Sequence, residues 1–441
     1  MSKRILQNSI VLVTGGAGFI GSHTADALLA KGHEVRVLDS LEPPVHRDGE
    51  WPAYLDPQVE RMKGDVRDEV ALLGALKGVD AVYHLAAFQD YLPQFSRFFS
   101  VNVTSTALIY ELIVREKLPV QKVIVASSQA TLGEGRYLDA TGARVLPGLR
   151  RDADLARGIW EIQPQDDEVG PLQYQPTDET VANPQNCYGT SKIAQENAAL
   201  NLGRMYGIPT VAMRYSIVQG PRQSLYNAYS GACRIFSLSF HLGRDPVIYE
   251  DGNQVRDFVN WLDVVDANLL VLEDPRADYE MFNVGGDRPV TVGEFASVVA
   301  EVFGRNDYTP QASGKYRYGD TRHILSDVSK LKALGWAPTR TCHDSVAAYR
   351  DWMEAEAPAA DILEQSDRMM AALGVVRDAL AVGESTVSVT DAGLTGVREG
   401  LEQVRDLLGS ARTPGADRAA IQTEVGGLLD DVEAIAQSAT I

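Results

Sequence analysis

Cysteine is scarce in this chain. Its three residues, Cys187, Cys233 and Cys342, are scattered without metal-ligand spacing, so neither a disulfide framework nor a structural zinc is expected, and a reducing compartment fits. Long apolar runs are missing too: none approaches the roughly 20 residues that a membrane-spanning helix needs. The opening M-S-K-R-I-L-Q-N-S-I lacks the apolar core of a secretion signal, and a cytoplasmic location with no membrane partner is the expectation. Positive charge is in deficit, 41 Lys and Arg against 60 Asp and Glu, for a net charge of -19. So acidic a chain is a poor general ligand for nucleic acid. Over 353–441 there is no aromatic, lysine, histidine or cysteine at all, which excludes a packed globular core there.

What is present in the rest of the chain has a strong order. Its 441 residues exceed one compact domain and allow two or three. Strand-like apolar runs at 10–13, 34–38, 59–62, 81–85, 122–126 and 210–214 alternate with helical stretches. That alternation predicts an α/β fold, a parallel sheet doubly wound by helices on both faces, with ligands at the carboxyl ends of the strands.

The first run leads into T-G-G-A-G-F-I-G at 14–21 and then into a helical stretch at 23–30. Gly15 permits the sharp turn, Gly18 lets backbone amides approach a pyrophosphate, and Gly21 lets the helix lie close on the strand, its positive N-terminus toward the phosphates. The second run ends in Asp39, where a carboxylate bonds an adenosine ribose and repels a 2′-phosphate, so NAD is expected rather than NADP. Asp65 follows the third run as either a helix N-cap or an adenine contact. Leu85, Ala86 and Ala87 follow the fourth, as a cofactor wall or as packing, and Ser127-Ser128 follow the fifth.

Tyr188 and Lys192 stand four residues apart in N-C-Y-G-T-S-K, on one face of a helix. An ammonium beside a phenol favours the ionised phenol, which can then take a proton from an alcohol near neutral pH.

Together with H-L-A-A, S-S-Q-A-T-L-G-E-G, R-Y-S-I-V-Q-G-P-R-Q, E-D-G-N-Q-V-R-D-F-V and F-N-V-G-G, these motifs make residues 8–354 resemble the extended short-chain dehydrogenase/reductases, in the NAD-dependent nucleotide-sugar epimerase/dehydratase group. The resemblance implies a Rossmann-type sheet over 1–218 and a smaller substrate-binding lobe over 219–354, of which 254–272 returns to the sheet domain. It implies a catalytic set of Ser128, Tyr188 and Lys192. Phe19, Ile20, Val66 and Tyr215 would join the cofactor contacts, and Gln129, Arg256 and Arg317 the substrate contacts. An arginine suits a diphosphate because its planar fork donates two parallel hydrogen bonds. A homodimer is expected.

Departures from the family pattern narrow the reaction. Dehydratases and decarboxylases of this group place acidic residues just after the catalytic Ser/Thr, where this chain has Gln129 and Ala130. Epimerisation of a nucleotide-diphosphate sugar, at C4 through a 4-keto intermediate, is therefore expected ahead of elimination; a keto-reductase and a catalytically idle scaffold stand behind it. Ile217 replaces an Asn that bonds substrate phosphates in many members. Tyr226, Asn227 and Tyr229 fall where the family builds a substrate lid, or serve as packing. The stretch 136–178, rich in Pro, Gly, Asp and Arg, reads as an inserted excursion without a buried element.

Beyond 354 the pattern changes to a helical appendage. Leu394, Val397, Leu401, Val404 and Leu408, then Ile421, Val425, Leu428, Val432 and Ile435, mark two amphipathic helices split by Pro414 and Gly415, with Asp417 as N-cap. About 60 residues of this tail resemble the N-terminal coiled region of bacterial flagellins; a generic helical appendage is the alternative. Either way its narrow apolar stripe calls for a helical partner, flagellin or a second copy of this chain.

Overall fold

The computed structural model describes residues 9–46, 48–90, 94–163, 172–227 and 231–356, and four single residues beyond. Two compact units divide the chain, Met1–Ala357 and Pro358–Ile441. Apart from those four residues, the two amphipathic helices, the cap at Asp417 and the flagellin-like stretch lie outside the described residues, as does Tyr229.

Seven strands form one parallel sheet: β1 (Ile10–Thr14), β2 (Glu34–Asp39), β3 (Glu60–Lys63), β4 (Ala81–His84), β5 (Lys122–Ser128), β6 (Thr210–Tyr215) and β7 (Glu280–Val284). Their order across the sheet is β7-β6-β5-β4-β1-β2-β3. Both faces are covered, which is why the central strands read as nearly continuous apolar runs. Val11, Val13, Ile124, Ala126, Val211 and Met213 point to one face, against α1 (Phe19–Ala30) and a helix at Trp261–Glu273. Leu12, Val82, Val123, Val125 and Ala212 point to the other, against α2 (Glu69–Leu76), α3 (Ser105–Arg115) and α4 (Cys187–Tyr206). The strand order reverses between β1 and β4, and at their carboxyl ends this leaves the crevice in which such sheets bind ligands.

A second group of helices, α5 (Gly231–His241), α7 (Val292–Val302) and α8 (Cys342–Glu356), packs apart from the sheet, α6 being Trp261–Glu273. Phe295 joins α7 to its neighbours, stacked on Phe258 at 4.2 Å between ring centroids and lying 6.1 Å from Phe236.

Three expectations need correction. The range 219–354 gives back more than 254–272, because Glu280–Val284 adds to β6 as the seventh sheet strand. Its register with β6 lies about seventy residues downstream, so only the closed sheet identifies it. The excursion 136–178 does hold a buried element: Arg136–Leu138 pairs antiparallel with Arg144–Val145 and Gln173–Gln175, and buries Tyr137 with Ile162 and Leu172. Finally, α1 begins at Phe19 instead of 23, since the glycine turn ends directly in the helix N-cap at Gly18.

Candidate active site

The turn after β1 is shaped by close approach. Gly15 has φ +68°, and a Cβ there would meet Ala86 N at 2.7 Å, so β1 and the segment after β4 touch backbone to backbone. A Cβ on Gly21 would meet Gly15 O at 2.3 Å, which seats α1 on the turn. Gly18 caps α1 without a side-chain hydrogen bond, and the first turn holds no acidic residue. The helix therefore presents its N–H groups and positive end unopposed, a fit for a diphosphate. Asp39 closes the turn from β2: Oδ2 accepts from Ala17 N at 3.0 Å and Oδ1 from Leu41 N at 2.9 Å. That carboxylate, buried at the strand end, fits a ribose diol.

Asp65 is engaged by Arg67, whose Nε lies 3.0 Å from Oδ1, and this hydrogen bond chiefly lowers its pKa. The N-cap of α2 is Asp68, which accepts from Val70 N and Ala71 N, so Asp65 is not the cap. Leu85 N and Ala86 N are held by Thr14 through its O (3.1 Å) and Oγ1 (3.3 Å).

Helix α4, which carries Tyr188 and Lys192, is capped by Asn186, whose Oδ1 accepts from Gly189 N at 2.8 Å. Gly189 has no room for a Cβ, which would lie 2.4 Å from Ala130 O. This contact brings the first turn of α4, with Tyr188, against the turn Gln129–Leu132 that follows Ser128. Ser128 Oγ accepts from Ala130 N at 3.1 Å, which leaves its hydroxyl hydrogen for another acceptor. Tyr188 is nearly buried, its ring 6.3 Å from Phe98.

Lys192 Nζ lies 5.8 Å from the centre of the Tyr188 ring and donates to Ala126 O (2.8 Å) and Gln195 Oε1 (2.9 Å). Two of its three donors are thus used. Burial lowers its pKa to about 7. An unfolded lysine titrates near about 10.4, so between these values the unfolded chain binds the proton and the fold does not. The resulting destabilisation is complete below about pH 7 and fades as pH rises toward the unfolded value. Lys192→Met is therefore expected to raise the melting temperature at pH 7, to lose that gain near pH 10, and to abolish turnover. Calorimetry at both pH values checks this; an unchanged or lower melting temperature at pH 7 rules it out.

On the substrate side, Arg256 donates to the carbonyls of Val255, Arg322 and Thr321, each at 2.9 Å. Arg317 pairs with Asp320 (2.9 Å) and lies over the Tyr249 ring at 5.1 Å. Glu134, just past the turn after Ser128, accepts from Arg322 N at 2.8 Å, and burial pushes its pKa up to about 7. Arg150, from the excursion, forms a two-pronged pair with Glu250 at 3.0 and 2.6 Å. Gln129 Oε1 is buried and has no hydrogen-bond partner among the described residues, which fits an acceptor for a ligand donor.

The family profile described as NAD dependent epimerase/dehydratase family matches residues 11–147 and 161–285. The chain belongs to that family. It is 32% identical to the dTDP-L-rhamnose 4-epimerase of Burkholderia thailandensis over 362 residues, 81% of this chain and 98% of that one. The structure of the Thermotoga maritima UDP-glucose 4-epimerase with UDP-glucose is similar at 28% identity and a TM-score of 0.64, over 78% of this chain and 99% of that one. That of the Thermus thermophilus UDP-glucose 4-epimerase complexed with NAD is similar at 27% identity and 0.61, over 79% and 100%. NAD is the cofactor.

In this epimerase/dehydratase-family chain, two of the expected cofactor residues turn their side chains elsewhere. Tyr215 donates its hydroxyl to Asn268 Oδ1 (2.7 Å) in α6 and lies in the core, as the strand alternation Val211, Met213, Tyr215 dictates. Val66 is likewise a core residue, packed in the cluster with Leu72. Phe19 and Ile20 pack partly buried on the core beside the turn. Ile217 donates its N–H to Asp257 O at 2.9 Å and has no side-chain polar group with which to replace the Asn.

Other residues that build the site escaped sequence reasoning. Asn102, in a π-helical turn (Phe99–Thr104), accepts from Phe88 N (2.8 Å) and donates to Ser191 Oγ (2.9 Å), tying the segment after Ala87 to α4. Glu196 accepts from Ser127 Oγ and Arg214 Nε, both at 2.9 Å, and so locks α4 onto β5 and β6. A clue was available, since Glu196 is one helical turn beyond Lys192, on the Tyr188 face.

Proposed function

We propose that the chain is an NAD-dependent epimerase that inverts C4 of a sugar carried on a nucleoside diphosphate. The single observation that carries this reading is the close approach of Gly189 to Ala130, which packs the start of α4, the helix of Tyr188 and Lys192, on the turn that follows Ser128. Ser128 donates to the C4 oxygen and orients it. Tyr188, as the phenolate, takes the hydroxyl proton, and Lys192 beside it, in its protonated form, offsets the negative charge. NAD, when bound, supplies a reversible acceptor for the hydride on C4. The keto-sugar turns its other face, Tyr188 returns the proton to the oxygen, and no net oxidation has occurred. Arg256 and Arg317 hold the diphosphate through this motion.

Support for the sugar class comes from relatives named for dTDP-L-rhamnose and UDP-glucose. A 4,6-dehydratase is disfavoured because Gln129 and Ala130 offer no acid or base for elimination, and a scaffold because it has no use for the three catalytic groups. Incubation of the protein and NAD with UDP-, dTDP- and GDP-sugars, read by NMR, tests the reading. Interconversion at C4 is expected; loss of water, or net consumption of reduced cofactor, would overturn it.

The protein acts in the cytoplasm as a homodimer on this reading, supported by its three free thiols and by exposed Phe95 and Phe99 at the start of the helical stretch leading to α3. Among the described residues no helix is long and apolar enough to cross a membrane. The tail docks on a helical partner. Removal of residues beyond 357 is expected to change assembly, read by light scattering after size exclusion, with epimerase turnover intact; equal loss of both would exclude a separate docking role.

A further inference from the structure

The motif R-Y-S-I-V-Q-G-P-R-Q-S runs past β6 into a segment, 220–224, that crosses back to the cofactor half of the molecule. Its base is pinned: a Cβ on Gly220 would meet Trp261 Cε3 at 2.3 Å, so the indole covers the glycine directly. Pro221 O accepts from His23 Nε2 in α1 at 3.0 Å, and burial lowers the His23 pKa to about 4, so that ring stays neutral. Arg222 then adopts φ +67°, a left-handed conformation that a non-glycine residue holds only when its surroundings demand it.

Arg222 reaches elements that flank the glycine turn. Its NH1 pairs with Asp26 Oδ2 of α1 at 2.7 Å, and its guanidinium lies 4.9 Å from the centre of the Tyr54 ring. Tyr54 in turn donates to Ala17 O at 2.7 Å, inside the glycine turn, where the Ala17 N–H binds Asp39. Ser224 Oγ reaches Pro44 O at 3.4 Å, in the loop after β2. A strained backbone, an ion pair, a cation–ring contact and two carbonyl contacts thus converge on the diphosphate turn and the ribose loop from outside.

An enzyme that lends a hydride and takes it back within one turnover has a requirement that an ordinary dehydrogenase lacks. Its cofactor must outlast the keto-sugar. Residence is set by the dissociation rate, which a tie across the binding turn slows without touching the reacting atoms.

We propose that segment 220–224 is a strap that retains the dinucleotide, with Arg222 as its latch and Tyr54 as the seat of the latch; both are positioning residues. The inference rests on the NAD-epimerase reading. Arg222→Gly is the variant of choice, because glycine suits φ +67° and leaves the fold unstrained while removing the ion pair and the stacked cation. Native and variant chains are loaded with NAD and passed through gel filtration; bound NAD and its dissociation rate are measured, along with the melting temperature of the cofactor-free protein. The expected result is dissociation faster by about tenfold or more, the scale of one ion pair plus one cation–ring contact. The cofactor-free melting temperature should be unchanged or higher, the initial rate at saturating NAD should be near native, and free NADH should appear during turnover, matched by released keto-sugar. Tyr54→Phe, which keeps the ring but loses the bond to Ala17, should show a smaller acceleration. An unchanged dissociation rate overturns the strap, and so does NAD loss that merely follows a lowered melting temperature. A native chain that binds no NAD at all sinks the functional reading itself.

Discussion

Tyr188→Phe is expected to lower turnover by about 10²–10⁴-fold, the usual share of a positioned acid–base group, while NAD binding and melting temperature stay near native. The substitution removes one oxygen and keeps the ring that packs edge-on to Phe98 at 6.3 Å. Helix α4 keeps its cap at Asn186 and its contact at Gly189, so the site keeps its shape. What is lost is the group in the proposed set that takes the sugar proton, since Ser128 orients the oxygen and Lys192 favours the phenolate. The effect belongs in kcat, with little change in KM, since phenylalanine fills the same space against substrate. Steady-state rates with the substrate found by NMR, alongside NAD titration, check it. A variant with native turnover would remove Tyr188 from the mechanism.

Glu196→Ala should destabilise the protein by about 3–5 kcal/mol, the cost of leaving one partner of a buried ion pair alone. Arg214 and Glu196 are 1% and 0% exposed, with Arg214 NH2 2.6 Å from Glu196 Oε1 and Nε 2.9 Å from Oε2. The remaining guanidinium bonds go to Val181 O and Glu179 O, which do not neutralise its charge. Against a typical total of about 5–15 kcal/mol, such a loss brings a domain near its unfolding threshold. Turnover should fall as well, because α4 loses its tie to β5 through Ser127. Replacing both partners with apolar residues of similar volume should restore much of the stability without restoring turnover. Urea denaturation of the single and double variants separates these effects; a native unfolding midpoint for Glu196→Ala would show that the pair does not anchor the helix.

Most of the fold was legible in the sequence because its signals are local. The six apolar runs, T-G-G-A-G-F-I-G and the helical spacing of Tyr188 and Lys192 each depend on neighbours within a turn or a strand, and the structure places each where those rules require. Side-chain direction was less legible. Tyr215 ends β6 and Val66 lies in the turn past β3, yet both side chains face the core, Tyr215 because alternation along a strand sends only every second residue to a given side. The excursion was misread for a related reason: its strands are two or three residues long, too short for a period to show.

By itself, the sequence determined the cofactor and the succession of the first six strands along the chain, through short-range spacing and through what particular residue types can do, and it offered Ser128, Tyr188 and Lys192 as the candidate acid–base set. Only the tertiary structure decided that Glu280–Val284 forms the seventh, edge strand of the sheet, that Glu196 and Arg214 hold α4, and that Arg222 reaches Asp26 and Tyr54. These depend on partners tens to hundreds of residues apart, and no local pattern encodes a contact whose free energy appears only once the sheet has brought its ends together.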